Sequence, residues 1–267
     1  MPKISPLASV DKDARLAEDV EVGPFCVVGP HVILGAGCKL LSHVSITGHT
    51  TVGRDNAFHP NCVIGGTPQD LKYAGGPTRL EIGDGNVIRE AVTIHIGTEA
   101  GGGVTRVGNQ NLFMVNSHVG HDGNIGSHCI IANNVMLAGH VAIGDNVAIM
   151  GGVGIHHFVT VGEFAYLAGL AQITHDVPPY VKVSDCDQVR GLNTIGLKRA
   201  GFSADDIEEL EITTRRLFMG REKPFAVVLG EFDTLNGINP RVKRMVEFLR
   251  QRNIGRHGRY LEAKRQA

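Results

Sequence analysis

The sequence predicts a mostly β protein, a parallel β-helix of six-residue repeats followed by a small α-helical C-terminal domain. Three observations predict this fold. An apolar residue recurs at every sixth position, glycine often follows it, and helical periodicity replaces this pattern near the C-terminus. Six is neither the period of an α-helix nor that of one long strand, so each repeat should be a short strand plus a corner.

The six-residue repeat runs through most of the chain in three stretches. It holds 11 repeats over residues 4–64, 3 over residues 82–94 and 12 over residues 107–173. With three sides to a coil, these repeats make about nine coils, and residues 18 apart should stack on neighbouring coils. We predict that the β-helix spans residues 1–185 and that a helical domain spans residues 186–267.

Small side chains should fill the interior of this β-helix. The chain has 35 glycines and no tryptophan, and glycine suits a corner where the backbone turns tightly. Two positions before each apolar residue lies a second inward column, which contains Cys26, Cys38, Cys62 and Cys129. We expect these four to be buried thiols, while Cys186 lies outside the repeat. An odd number of cysteines without a CxxC pair argues against a disulfide framework or a zinc knuckle.

Two glycine-rich segments interrupt the repeat, near residues 65–79 and 97–104. In a regular solenoid such segments should be loops pushed out of the wall, and loops on a rigid scaffold often carry function. Asp70 and Lys72 are the chemically interesting residues of the first loop. Beyond residue 185, Ser203 is predicted to cap a helix and Pro240 to begin another.

Charge is balanced over the whole chain but not along it. The net charge is −1, yet residues 241–267 contain nine basic and two acidic side chains. A basic C-terminal segment is typical of a protein with an acidic partner, and equally of a solvated helical face. The basic residues of this segment are Arg241, Lys243, Arg244, Arg250, Arg252, Arg256, Arg259, Lys264 and Arg265.

No apolar run is long enough for a membrane span or a secretory signal, so we expect a cytoplasmic protein.

Histidines concentrate in the second half of the repeat. The 18-residue spacing stacks residues 121, 139 and 157 in one column, with His140 beside it. Because imidazole titrates near neutral pH, His121 is a candidate general base, and the adjacent Asp122 can fix its tautomer if both lie at a corner. Gly139 can offer a bare backbone N–H to an oxyanion. The predicted histidine band consists of His95, His118, His121, His140, His156 and His157.

Several strings make the chain similar to a known enzyme family. They include Gln69–Gly75 (QDLKYAG), His118–Asp122 (HVGHD) and Gly196–Phe202 (GLKRAGF). With these motifs, and over essentially its whole length, the chain resembles the UDP-N-acetylglucosamine O-acyltransferases of lipid A biosynthesis. The resemblance implies a left-handed parallel β-helix, a homotrimer and active sites between subunits. It also implies transfer of a 3-hydroxyacyl chain from acyl carrier protein to the 3-hydroxyl of UDP-N-acetylglucosamine.

The same resemblance assigns roles to matching positions of this sequence. His121 would be the general base, Asp122 its orienting partner and Gly139 the oxyanion donor. No nucleophile motif such as GxSxG is present, so transfer would proceed without a covalent acyl-enzyme. The residues that would line the nucleotide-sugar and acyl-donor site are Asp70, Lys72, His95, His118, His140, His156, Asn193 and Arg199.

Four further positions bear on substrate contacts. Three of these positions depart from the residues frequent in the family, which often has Gln at the position of His157, Glu at that of Ile195 and Arg at that of Ala200. His157 therefore occupies a substrate-binding position with a different side chain. Gly169 lies where the family measures acyl-chain length, and the missing side chain favours a longer chain of the 3-hydroxymyristoyl class. We expect no cofactor, no bound metal and no nucleic-acid partner.

Two other classes of protein also fit parts of the pattern. A zinc lyase of the γ-carbonic anhydrase type uses a trimeric β-helix with histidines at the subunit boundary, and here the histidine band would bind metal. Such an enzyme has no need of the Asp70 and Lys72 loop or of the helical tail. A non-catalytic scaffold has no use for the histidine band or the two loops.

Overall fold

The computed structural model describes residues 1–220, 223–234 and 237–264, and within these ranges 28 short strands precede five α-helices. A 3₁₀ helix, Glu99–Gly101, lies in the second glycine-rich segment. The first ten strands are β1 (Lys3–Ile4), β2 (Ser9–Val10), β3 (Arg15–Leu16), β4 (Glu21–Val22), β5 (Val27–Val28), β6 (Ile33–Leu34), β7 (Lys39–Leu40), β8 (Ser45–Ile46), β9 (His49–Val52) and β10 (Ala57–Phe58). The next nine are β11 (Val63–Gly66), β12 (Arg79–Ile82), β13 (Val87–Ile88), β14 (Thr93–His95), β15 (Val104–Val107), β16 (Leu112–Phe113), β17 (His118–Val119), β18 (Asn124–Ile125) and β19 (Ile130–Ile131). The last nine are β20 (Met136–Leu137), β21 (Ala142–Ile143), β22 (Ala148–Ile149), β23 (Gly154–Ile155), β24 (Thr160–Val161), β25 (Tyr166–Leu167), β26 (Gln172–Ile173), β27 (Val181–Ser184) and β28 (Gln188–Leu192).

These strands form the three faces of a left-handed parallel β-helix, as the resemblance implied. Face A carries β1 and every third strand to β25, followed by β27 and the antiparallel β28. Face B carries β2 and every third strand to β26, and face C carries β3 and every third strand to β24. On face B, His118 pairs with Met136 and Met136 with Gly154, so residues 18 apart stack in register as the repeat predicted.

Apolar side chains fill the prism in the two predicted columns. Cys26, Cys38, Cys62 and Cys129 are buried and Cys186 is exposed, which confirms the interpretation of the cysteines as interior residues of the repeat. Burial raises the pKa of Cys62 to about 11 and that of Cys129 to about 12. These thiols are therefore protonated interior groups with little nucleophilic character at neutral pH.

A polar ladder runs through the interior at the corner between faces C and A. The backbone N–H of Asn86 donates to Oδ1 of Asn56 at 2.9 Å, and that of Asn111 donates to Oδ1 of Asn86 at 2.9 Å. The N–H of Cys129 donates to Oδ1 of Asn111 at 2.8 Å. Each buried amide is thus satisfied by the neighbouring coil, which a polar group in a dry interior requires.

Both predicted interruptions are loops, and both leave the wall at the corner between faces B and C. The first loop lies between Gly66 at the end of β11 and Arg79 at the start of β12. The second lies between His95 at the end of β14 and Val104 at the start of β15. This B–C corner therefore carries two chain segments that the other corners lack.

The helices follow β28 and close one end of the prism. Ser203 caps the second helix through a 3.1 Å bond to the N–H of Asp206, and Pro240 begins the fourth, as predicted. The guanidinium of Arg244 meets the carboxylate of Glu163 at 3.0 Å, which ties the helices to the β-helix. No helix in the described ranges combines the length and hydropathy needed to cross a bilayer. The helices are α1 (Thr194–Arg199), α2 (Ala204–Phe218), α3 (Phe225–Glu231), α4 (Pro240–Ile254) and α5 (Tyr260–Ala263).

Candidate active site

A cleft at the B–C corner collects much of the predicted histidine band. It has a volume of about 300 Å³, and we call it the histidine cleft. The first loop covers one side of it and α5 another. Its lining residues are Gln69, Asp70, His121, His140, His156, His157, Phe158 and Glu262.

His121 and Asp122 form a hydrogen-bonded dyad in this cleft. Nδ1 of His121 lies 2.7 Å from Oδ2 of Asp122, and the Asp122 side chain is only 1% exposed. Asp122 has a φ of +58°, so the chain turns sharply between two adjacent residues that would diverge in a straight strand. The corner thus permits the pairing that the sequence left conditional.

The second loop holds the carboxylate of Asp122 from the other side. The N–H of Thr98 donates to Oδ1 at 2.8 Å and its hydroxyl donates to Oδ2 at 2.6 Å. Burial alone would raise the pKa of Asp122, but the hydrogen bonds from His121 and Thr98 outweigh it and hold that pKa below its ordinary value. The dyad therefore contains a fixed carboxylate beside an imidazole with a free Nε2 edge.

Gly139 lies directly against the ring of His121. A Cβ at position 139 would come within 2.6 Å of Nε2 of His121, closer than any real contact allows. Among the described residues, the N–H of Gly139 donates to no backbone or side-chain acceptor. An unused backbone donor next to Nε2 is the geometry that an oxyanion site needs.

His95 and His118 lie next to the dyad on face B. Their rings meet edge to face at 4.8 Å, and Nδ1 of His118 lies 2.7 Å from the hydroxyl of Thr93. Burial, followed by the charges of His118 and His121, lowers the pKa of His95 to about 4. Burial and His121 also lower the pKa of His118. Both rings are therefore neutral at physiological pH, and His118 is hydrogen-bonded to Thr93.

The remaining cleft histidines are organised by ring contacts. His140 stacks on Phe158 at 4.4 Å and its Nδ1 lies 3.8 Å from the Asp122 carboxylate. His156 and His157 meet edge to face at 5.6 Å. Burial and the neighbouring histidines lower the pKa of His157. The cleft therefore presents several imidazole edges on a rigid wall.

The first loop brings one of its two notable residues to the cleft. Asp70 is a lining residue, and its Oδ1 accepts the N–H of Lys72 at 3.0 Å. The side chain of Lys72 is exposed on the loop. Glu99 of the second loop accepts the N–H of Gly76 at 2.6 Å, so the two loops are joined to each other.

Asn193 and Arg199 do not reach the histidine cleft of their own chain. They line a separate cleft of about 730 Å³ against face A, together with Ile195 and Ala200. The Asn193 side chain accepts the N–H of Gly196 at 3.2 Å and caps α1. These residues can complete the histidine cleft only if another subunit supplies them.

Gly169 lies at the corner between faces A and B, between β25 and β26, away from the dyad. A Cβ there would contact the carbonyl oxygen of Gly151 at 3.4 Å. The backbone therefore does not require glycine at position 169, because a small side chain fits there.

Three residues of the site have the chemistry of a metal centre. His121, Asp122 and His140 each place one ligand atom within 4.8 Å of the others. Nδ1 of His121 is hydrogen-bonded to Oδ2 of Asp122, so this ring nitrogen already has a partner within the chain.

Sequence reasoning missed Thr98, Phe158 and Glu262. Thr98 follows Gly97, the first glycine of the second loop, and caps the short 3₁₀ helix Glu99–Gly101. Threonine is a common N-cap residue, so its position before this turn was a usable signal. Phe158 occupies a corner position one coil beyond His140, so the 18-residue spacing could have identified it. Glu262 belongs to a helix with no repeat to place it, and nothing local in the sequence points to the cleft.

Much of the basic C-terminal segment is paired within the chain. Arg241 bonds Asp206, Arg250 bonds Asp233 and Arg259 bonds Glu262. Arg265 lies outside the described residues. On α2, Arg215 keeps 70% of its side chain exposed beside Glu211.

Comparisons with known proteins agree with the fold. The protein family described as "Udp N-acetylglucosamine O-acyltransferase; Domain 2" matches residues 176–257. The acyl-[acyl-carrier-protein]–UDP-N-acetylglucosamine O-acyltransferase of Rhizobium johnstonii is 43% identical over 219 residues, which cover 82% of this chain and 80% of the relative.

Solved structures agree over about nine-tenths of the chain. The UDP-N-acetylglucosamine acyltransferase of Bacteroides fragilis has a TM-score of 0.88 at 37% identity, covering 92% of this chain and 96% of that chain. The UDP-N-acetylglucosamine O-acyltransferase of Moraxella catarrhalis has a TM-score of 0.87 at 41% identity, covering 91% and 95%. The chain therefore belongs to the acyl-[acyl-carrier-protein]–UDP-N-acetylglucosamine O-acyltransferase family, and it is an acyltransferase.

Proposed function

We propose that this enzyme transfers a 3-hydroxyacyl chain from acyl carrier protein to the 3-hydroxyl of UDP-N-acetylglucosamine, the first step of lipid A biosynthesis. The observation that carries the proposal is the His121–Asp122 dyad with Gly139 against its Nε2 edge. The names of the relatives supply the substrate class. The working state is a cytoplasmic homotrimer.

In this mechanism His121 is the general base. Its Nδ1–H donates to Asp122, which leaves Nε2 free to accept the proton of the sugar hydroxyl. The hydroxyl oxygen attacks the thioester carbonyl carbon, and the oxyanion that forms accepts the N–H of Gly139. Collapse breaks the carbon–sulfur bond, and the departing thiolate takes the proton from His121.

No covalent acyl-enzyme is needed because a thioester is already an activated acyl donor. Among the described residues that line the histidine cleft there is no serine or cysteine. The buried cysteines lie inside the prism with raised pKa values. This arrangement supports direct transfer between the two substrates.

Substrate binding is assigned to the remaining polar groups of the site. We expect Asp70, Lys72, His140, His156 and His157 to contact the nucleotide sugar and the acyl donor around the dyad. Burial lowers the pKa values of His95, His118 and His157, which favours uncharged rings around the dyad.

The homotrimer explains the second cleft. Asn193 and Arg199 lie against face A, whereas the dyad lies at the B–C corner. In a trimer whose active sites lie between subunits, face A of one subunit supplies Asn193 and Arg199 to the histidine cleft of the next. Gly169 would then leave room for a longer acyl chain.

A zinc lyase of the γ-carbonic anhydrase type is the second candidate, because His121, Asp122 and His140 form a cluster of possible ligands. Metal analysis of the purified protein separates the two functions. Stoichiometric zinc together with hydration of carbon dioxide would contradict the transferase proposal.

Mass spectrometry of the reaction product tests the proposed function directly. Purified enzyme is incubated with UDP-N-acetylglucosamine and a panel of 3-hydroxyacyl carrier proteins of different chain lengths. The expected product carries one ester-linked 3-hydroxyacyl group on the sugar, with the longer chains preferred. Absence of an acylated sugar nucleotide with every donor would overturn the proposal.

A further inference from the structure

We propose that Thr98 is a positioning residue for acyl transfer, holding the Asp122 carboxylate in the orientation that aligns His121. This inference rests on the proposed role of His121 as the general base. Thr98 is only 2% exposed and does not line the histidine cleft, so it acts on the reaction through Asp122 rather than by touching substrate.

The carboxylate of Asp122 is held by donors on both oxygens. Thr98 supplies two of them, its N–H to Oδ1 at 2.8 Å and its hydroxyl to Oδ2 at 2.6 Å. Oδ2 also accepts Nδ1–H of His121 at 2.7 Å. The Asp122 N–H donates to the hydroxyl of Thr105 at 2.8 Å. Rotation of the carboxylate would break the Thr98 bonds, so the direction of the His121 bond is fixed by Thr98.

The second loop is shaped to deliver this contact. A Cβ on Gly97 would lie 2.3 Å from the backbone nitrogen of Val104, so only glycine lets the two ends of the loop approach each other. A Cβ on Gly101 would lie 2.0 Å from Cγ of Asp122, so the loop closes directly over the carboxylate. The N–H of Gly101 also donates to the Thr98 hydroxyl at 3.2 Å, which aims its proton at Asp122.

Removing the Thr98 hydroxyl has a predictable electrostatic consequence. Oδ2 of Asp122 would then have one donor fewer, and a carboxylate oxygen with fewer donors binds a protonated imidazole more tightly. Two imidazoles face this oxygen, that of His121 at 2.7 Å and that of His140 at 3.8 Å. The acid limb of the pH profile of kcat/KM should therefore move to higher pH, and kcat should fall because the ring is less well aligned.

The chain contains a second copy of this arrangement outside the histidine cleft. The N–H of Thr174 donates to Oδ1 of Asp187 at 2.8 Å and its hydroxyl donates to Oδ2 at 2.5 Å. Nδ1 of His175 lies 2.8 Å from the same Oδ2. The same substitution in this copy removes an equivalent hydrogen bond without touching the dyad, so Thr174→Val is a matched control.

The experiment compares Thr98→Val, Thr98→Ser and Thr174→Val by steady-state kinetics over a range of pH. Thr98→Val should lower kcat on the order of 100-fold, as a displacement of about 1 Å in a catalytic group does, with KM values unchanged. Its acid limb should move to higher pH. Thr98→Ser should restore both the rate and the profile, and Thr174→Val should match the parent enzyme.

Thermal unfolding of each variant separates positioning from stability. If Thr98→Val does not fold, Thr98→Cys, which keeps the size but has a much weaker donor, should show the same shift of the acid limb. A Thr98→Val or Thr98→Cys variant that folds with the parent kcat and pH profile would overturn the inference. Full activity of His121→Ala would instead overturn the general-base role on which this inference rests. Absence of an acylated sugar nucleotide with the parent enzyme would overturn the proposed function, so the failures remain distinguishable.

Discussion

Nδ1 of His121 lies 2.7 Å from Oδ2 of Asp122, although the two residues are adjacent in the chain. Adjacent side chains of a strand point to opposite faces. Here Asp122 has a φ of +58°, a backbone region that asparagine, aspartate and histidine enter more readily than most residues. The β-helix therefore uses its corner to pair two neighbours, and the dyad depends on the geometry of the turn.

His121→Ala should abolish acyl transfer while leaving the protein folded. Removing a general base costs about 100- to 10,000-fold in rate, and the imidazole lies in a cleft rather than in the interior columns that hold the prism together. Turnover is measured by product formation, and folding by thermal melting. His43→Ala, which changes an exposed corner histidine outside the cleft, is the control. Near-normal turnover of His121→Ala would refute the general-base assignment.

Gly139→Ala should be folded and nearly inactive. The added Cβ would meet Nε2 of His121 at 2.6 Å, so the imidazole must move. A displacement of about 1 Å in a catalytic group costs on the order of 100-fold in rate. Gly29→Ala is the matched control, because a Cβ there meets its nearest atom at 3.5 Å. Equal kcat values for the two variants would mean that position 139 does not constrain the base.

Acid should destabilise the protein partly through His95. The unfolded chain protonates this ring near its ordinary pKa of about 6.5, whereas burial and the nearby histidines lower its pKa in the folded protein to about 4. The unfolded state then binds more protons between these values. Stability is therefore fully present above about pH 6.5 and is lost as the pH falls towards 4.

The variant His95→Gln should remove this contribution. Between pH 7.5 and 4.5 its loss of unfolding free energy should be smaller than that of the parent, by up to about 3 kcal/mol. Urea unfolding at several pH values and one protein concentration measures the difference. His43→Gln, at an exposed position, should leave the slope unchanged. An unaltered slope in His95→Gln would show that another group carries the acid sensitivity.

We expect the exposed basic end of α2 to dock the acidic acyl carrier protein, so Arg215→Glu should weaken use of the acyl donor. Arg215 is the more exposed of the two arginines at the end of α2, and the acyl carrier protein of the proposed reaction is acidic. Reversing one charge at the rim of such an interface should raise the KM for the acyl donor about fivefold at low salt and less at high salt. The KM for UDP-N-acetylglucosamine should not change.

Arg106→Glu, on face C and away from α2, is the control for this charge reversal. Its KM for the acyl donor should equal that of the parent enzyme. If Arg215→Glu also leaves that KM unchanged, the docking role of α2 should be dropped.

The repeat made most of the β-helix predictable. Ile64, Val119 and Leu137 are buried because a strict six-residue period leaves one inward direction for them, and the 18-residue register follows from three sides to a coil. The gathering of histidines at one corner could also be predicted, since residues 121, 139 and 157 occupy the same position in successive coils. The handedness of the β-helix could not be predicted from the period, which is the same for either hand. Only the resemblance implied it.

The contacts that complete the site could not be predicted. Thr98 reaches Asp122 across 24 residues through a glycine-rich loop whose path no period describes. Glu262 reaches the cleft from a short helix at the other end of the chain. The placement of Asn193 against face A depends on how α1 follows β28, which is a packing result rather than a local preference.

The polar ladder at the corner between faces C and A is continuous although the two loops interrupt the repeat. Asn56 and Asn86 are 30 residues apart in sequence, Asn86 and Asn111 are 25 apart, and Asn111 and Cys129 are 18 apart. The hydrogen bond at each step is nevertheless 2.8 to 2.9 Å long. The spacing of the coils is therefore the same whether or not a loop leaves the B–C corner between them. We therefore expect the β-helix to tolerate changes in the length and sequence of the two loops. Such changes would alter the contacts that the loops make with His121 and Asp122 while the coils keep their spacing.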